Sequence, residues 1–113
     1  MSIKACLILL RNATRDYLDF VALADSMGPE EAWESLRRFD VLYPQKNGES
    51  ALLQLQVQLG KPMPFDREAT DLREYKNLDK KWHHWARVES ACIGLSTYFF
   101  DALARESDRT SGN

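Results

Sequence analysis

The sequence predicts an all-α protein, a compact bundle of four or five helices that includes a long C-terminal helix. Three features carry that expectation. Apolar residues recur at alternating three- and four-residue spacing from Ile3 to Met27, and again from Leu72 to Leu103, which is the period of helices with one buried face. Between these stretches, "MGPEEAW" places a helix stop directly before a helix start.

In the first stretch, Ile3, Leu7, Leu10, Tyr17, Val21 and Ala24 form one row. Cys6, Ala13, Phe20 and Met27 form a second row beside it. Together they predict a single core helix, although the run "ACLILL" has no period of its own and a short strand is the alternative for its first turns. Gly28 ends this helix, and Pro29 suits the first position of the next. Glu30 and Glu31 fall in its first turn, where the helix dipole favours negative charge. That second helix would bury Ala32, Trp33, Leu36, Phe39 and Tyr43, and would stop at Pro44 and the adjoining "QKNG".

The segment "SALLQLQVQLG" reads two ways. Leu53, Leu55, Val57 and Leu59 alternate with glutamines in the period of a half-buried strand, so a short strand at 52–59 is one reading. A helix is favoured, because Leu, Gln and Ala are good helix formers, Ser50 can cap the start and Gly60 the end.

"GKPMPFD" is a stiff connector, and Asp66 can cap the helix expected after it. From Leu72 through Tyr75, Leu78, Trp82, Trp85, Val88, Cys92, Leu95 and Phe99 to Leu103 the helical spacing persists. Unbroken from Asp66 to Arg105, such a helix would be about 60 Å long, too long for a domain whose radius of gyration should be about 13 Å. A bend is therefore expected at "KNLDK", with Asn77 stopping one helix and Asp79 capping the next. Residues 1–106 are expected to form one helical domain and 107–113 a polar, flexible tail.

Composition limits function. The 113 residues suit one domain with its own core, and 15 basic against 17 acidic residues give a net charge of −2. Nucleic acid is disfavoured as a partner by that balance. The N-terminal apolar run spans only Ala5 to Leu10, whereas a secretory core needs at least about 7 such residues and a membrane span about 18. Neither export nor a membrane is expected. Cys6 and Cys92 lack CxxC spacing and read as reduced thiols in a cytoplasmic protein.

The stretch "DKKWHHWARVESACIG" gathers residue types used in chemistry, but at spacings that do not serve it. On a helix, His83 and His84 diverge by about 100°, and His84 and Cys92 are separated by about 12 Å of rise, so no metal or cofactor is expected. His84 would sit at the core boundary with one nitrogen hydrogen-bonded, and His83 would face solvent. Trp85, Val88, Cys92, Leu95, Phe99 and Leu103 share one arc with Trp82, Ile93 and Phe100 at its edge, so the Cys92 thiol should be buried and inert. The chain lacks GxSxG, P-loop, GxGxxG and HExxH motifs. Glu89 falls on the apolar side and should pair with Arg11 or Arg15.

The opposite face carries the candidate binding residues: His83, Arg87, Ser90, Gly94 and Thr97 in a row, with Tyr98 and Ala91 beside it. Gly94 costs about 1 kcal/mol relative to Ala in a helix interior, so its presence asks for a packing reason. That reason is either another helix of the same chain or a surface for a protein partner, a second copy included.

The expected function is a non-enzymatic protein-binding module, such as a small inhibitor, immunity or adaptor protein, of the kind mobile elements also encode. One rival is a nucleic-acid-associated regulator using Lys80, Lys81, Trp82 and Arg87. The other is a ligand-binding or enzymatic bundle with a pocket near Glu89, Trp82 and Trp85.

Overall fold

The computed structural model describes residues 1–44 and 48–111, with side chains described as far as Glu106. It is all-α. Five helices of eight residues or more are present among the described residues: α1 (Ser2–Arg11), α2 (Thr14–Met27), α3 (Pro29–Leu36), α5 (Ala51–Gly60) and α6 (Trp85–Ser111). A single-turn helix, α4 (Phe39–Leu42), lies between α3 and α5. The radius of gyration is 14.4 Å, and the long axis of 50 Å accommodates α6. Residues 45–47, part of the expected stop after Pro44, and the side chains of the expected tail at 107–113 lie outside the described residues.

The expected single helix from Ile3 to Met27 is two helices. Asn12 adopts the left-handed conformation (φ 49°, ψ 40°) and Ala13 is extended, so the chain turns a corner between α1 and α2. Asparagine tolerates this conformation better than other non-glycine residues, and three bonds hold it there. Its amide donates to the Met63 carbonyl at 2.9 Å, and its side-chain oxygen accepts from the Tyr17 hydroxyl and Gln58.

The corner resets the helical phase. α2 buries Tyr17, Phe20, Val21 and Ala24 as expected, whereas α1 buries Ala5 and Ile8 and leaves Ile3 69% and Leu10 75% exposed. Extending the α2 stripe backwards across the corner selects the wrong face of α1.

α3 begins at Pro29 as expected, but the helix meant to continue to Tyr43 breaks at Arg37 and Arg38 before α4. Its apolar face survives the break: Ala32, Trp33, Leu36 and Phe39 are buried, and Tyr43 packs at a tilt against Phe39 with 5.0 Å between ring centroids. The ambiguous segment is the helix α5, not a strand. Ser50 Oγ accepts the Leu53 N–H at 3.1 Å, and Asp40 accepts the Leu52 N–H at 2.8 Å, so two of the helix's unpaired donors are satisfied.

α5 packs along α6 in the most extensive helix pair of the fold, and α2 packs on α6 as well. At Gly60, a Cβ would lie 3.3 Å from Ser96 Oγ, so glycine lets the two helices approach closely.

The helix expected to start after Asp66 and bend at "KNLDK" is not a helix before Trp85. Residues 66–84 form turns and two short 3₁₀ pieces, Leu72–Glu74 and Lys80–His83. Leu72, Tyr75 and Leu78 are three apart, a spacing that 3₁₀ turns share with the α-helix. Local bonds from polar side chains compete with the helix here: Asp71 accepts the Arg73 N–H, Asp79 accepts the Lys81 N–H, and Thr70 donates to the Asp66 carbonyl. Asp79 does cap, but it caps a 3₁₀ turn. Asp66 caps a different helix, α2.

Candidate interaction surface on α6

From Trp85 onward, α6 follows the expected arc. Val88, Cys92, Phe99 and Ala102 are buried, with Trp85, Leu95 and Leu103 half-buried around them. Phe99 packs against Trp33 at 5.9 Å and Tyr17 meets Trp85 edge-on at 6.3 Å. The edge residues depart from expectation. Trp82 is buried, but Ile93 and Phe100 stand exposed, Phe100 at the edge of an open groove between α5 and α6.

Of the six candidate binding residues, Arg87, Ser90, Gly94 and Thr97 lie exposed along the outer face of α6, and Tyr98 is half-buried at its flank. No atom of the described residues outside Gly94's own neighbourhood lies within 4 Å of where its Cβ would be, so none of them supplies a packing reason for this glycine. His83 does not belong to the row. It precedes α6 in a 3₁₀ turn, half-buried, with Nε2 2.9 Å from the Tyr75 carbonyl; that oxygen only accepts, so Nε2 carries the proton. His84 is the exposed histidine, the reverse of expectation, because His84 is extended and the 100° wheel does not run through the pair.

Two apolar features flank the outer row. On one side, Gly94 and Tyr98 join Val21, Ala24, Trp82 and Leu95 around an open groove of about 310 Å³. On the other, Thr97 and Phe100 of α6 meet Leu53 and Val57 of α5 across a second groove. Phe100 is 61% exposed and Val57 73%, and Ile93 lies on the same side of α6, two turns before Phe100.

α5 buries Leu52, Leu55 and Leu59, but the expected order reverses at residues 56 and 57. Gln56 is buried, with its side-chain nitrogen lacking a hydrogen-bond partner among the described residues, while the adjacent Val57 is in solvent. Sequence reasoning missed this ridge, although "LLQLQVQL" carries more apolar residues than one helix face can bury, and that surplus is a readable signal.

Electrostatics bear on the rival sites. Glu89 is exposed and does not pair with Arg11 or Arg15, whose partners are Asp16 and Asp19; the loss of helical phase at Asn12 and at His84 undoes the geometry that placed them together. The enclosed carboxyl expected of an enzymatic pocket is therefore not formed at Glu89.

Trp82 is covered by Lys81, whose Nζ lies 5.0 Å from the ring centroid and 2.7 Å from Asp25. It offers no open ring for base stacking. Burial, with a smaller contribution from the Glu89 charge, pushes the Cys92 thiol up to about 12, so it stays protonated. Among the described residues, no three His, Cys, Asp or Glu side chains are grouped to hold a metal ion. No described helix is long and apolar enough to cross a membrane.

No protein-family model, curated protein or solved structure matches the chain.

Proposed function

We propose that the chain is a protein-binding module of the inhibitor, immunity or adaptor kind, acting in the cytoplasm by laying the outer face of α6 against a larger protein. The observation that carries this reading is the ridge of Leu53, Val57, Ile93 and Phe100, exposed beside the open row of Ser90, Gly94 and Thr97. Clustered apolar groups on a surface mark interaction sites, and small residues let a partner backbone come close. Tyr98 and Arg87 at the margin are residue types that anchor such contacts.

The partner chemistry that fits is an apolar surface, seated over Val57 and Phe100 with its rim near Arg87. The test is affinity capture from a lysate of the native host, with and without nuclease, read by mass spectrometry. A stoichiometric protein that survives nuclease supports the reading. Loss of all captured material with nuclease would replace it with the nucleic-acid rival, and light scattering that gives a dimer with no other partner would assign the face to a second copy.

A further inference from the structure

The 67–84 segment frames an open groove of about 680 Å³ that shares no residue with the α5–α6 ridge. Arg67 is fixed within its wall. The guanidinium lies over the Trp85 ring at 5.2 Å, Nη1 donates to the Thr70 carbonyl at 3.3 Å, and Nε is sealed from solvent without a hydrogen-bond partner among the described residues. No carboxylate among the described residues forms an ion pair with it.

Lys80 lines the same groove, exposed and likewise outside any ion pair among the described residues. Arg73 differs. Asp71 neutralises it through two bonds of 3.1 and 3.0 Å, which leaves Glu68 as the carboxylate set against Arg67 and Lys80.

His83 is turned into this groove's wall by its bond to Tyr75, and His84 stands at the lip. A guanidinium held in place by Trp85 and the Thr70 carbonyl, without an ion pair among the described residues, and an exposed ammonium lining the same groove are the two kinds of group that recognise phosphate: arginine offers a planar fork, and lysine a point charge. The groove's volume falls in the range of about 300–1,000 Å³ typical of small-molecule sites, and Leu72 supplies an apolar wall for the remainder of a ligand.

We propose that this groove binds a small phosphorylated molecule, with Arg67 and Lys80 holding its phosphate group. The site is separate from the proposed protein-binding face and stands without it.

The test is a titration of the whole ¹⁵N-labelled protein with ribose 5-phosphate and with inorganic phosphate, at ionic strength matched by chloride. The expected result is saturable shifts of the Thr70, Lys80, His84 and Trp85 amides, stronger binding of the sugar phosphate, and about tenfold weaker binding in Arg67→Gln and in Lys80→Gln. Because Arg67 also packs on Trp85, the exposed Lys80→Gln variant keeps the test valid if Arg67→Gln fails to fold. Shifts reproduced by chloride alone, affinity unchanged in Lys80→Gln, or equal affinity for both probes would overturn the proposal.

Discussion

Asp66 caps a helix that begins 52 residues before it: its Oδ1 accepts both the backbone N–H of Thr14, at 2.7 Å, and the Thr14 hydroxyl, at 2.8 Å. The residue in the capping position of α2 is Ala13, which has no side-chain acceptor, so the task passes to the connector. Asp16 completes the joint by accepting the Ala13 N–H at 3.2 Å. One carboxylate thus ties the α1–α2 corner to the 62–70 connector. Removing it as Asp66→Ala should destabilise the fold by about 1–2 kcal/mol in urea titrations, the usual range for a lost cap.

That bond also has a pH signature. Desolvation raises the Asp66 carboxyl, but the two bonds from Thr14 outweigh it, and the group is held below its ordinary value of 3.8. A carboxyl depressed in the folded state stabilises above its unfolded value and loses that contribution as pH falls through the folded one. The stability gap between the wild type and Asp66→Asn should therefore be full at pH 7 and shrink below pH 3.8. A gap that stays constant down to pH 2 would contradict the assignment.

Gly94 separates stability from function. Its helical position is open, so Gly94→Ala adds helix propensity without a clash and should raise stability by about 0.5–1 kcal/mol in thermal melts. A destabilised Gly94→Ala would mean that the site is crowded after all.

The exposed ridge makes a parallel prediction. Val57→Ser and Phe100→Ser remove side chains that stand largely in solvent, so each should change monomer stability by no more than about 0.5 kcal/mol. Phe99→Ala, one position away but buried against Trp33, should cost about 3–5 kcal/mol. Chemical denaturation of the three variants checks the contrast.

Cys92 should resist a thiol reagent at pH 8 until the protein unfolds, because it is buried in the core and its thiol is pushed up to about 12. Labelling of Cys92 faster than global unfolding would show that α6 opens locally at that turn.

Much of the helical core was legible because burial there keeps a single period. Tyr17, Phe20 and Val21 on α2, the Pro29 start, the Ser50 cap, and Val88, Cys92 and Phe99 on α6 are all readable from spacing and end signals.

The Asn12 corner was not, since its left-handed conformation is held by Tyr17, Gln58 and Met63, distant partners that no local pattern reveals. Residues 66–84 misled because a spacing of three belongs to two kinds of helix, and the error carried through to His83, His84 and Glu89. The small-residue row was readable as a face, but only the packing of α5 on α6 determines that Gly94 opens to solvent and that Val57 and Phe100 stand beside it.

The central claim is that the outer face of α6 and the α5 ridge bind a protein. The most direct measurement is parallel affinity capture with the wild type, Gly94→Arg and Val57→Asp, each shown to be folded by circular dichroism. The expected result is one nuclease-resistant, stoichiometric partner on the wild type that is lost from both variants. Equal recovery of that partner on both variants would contradict the claim.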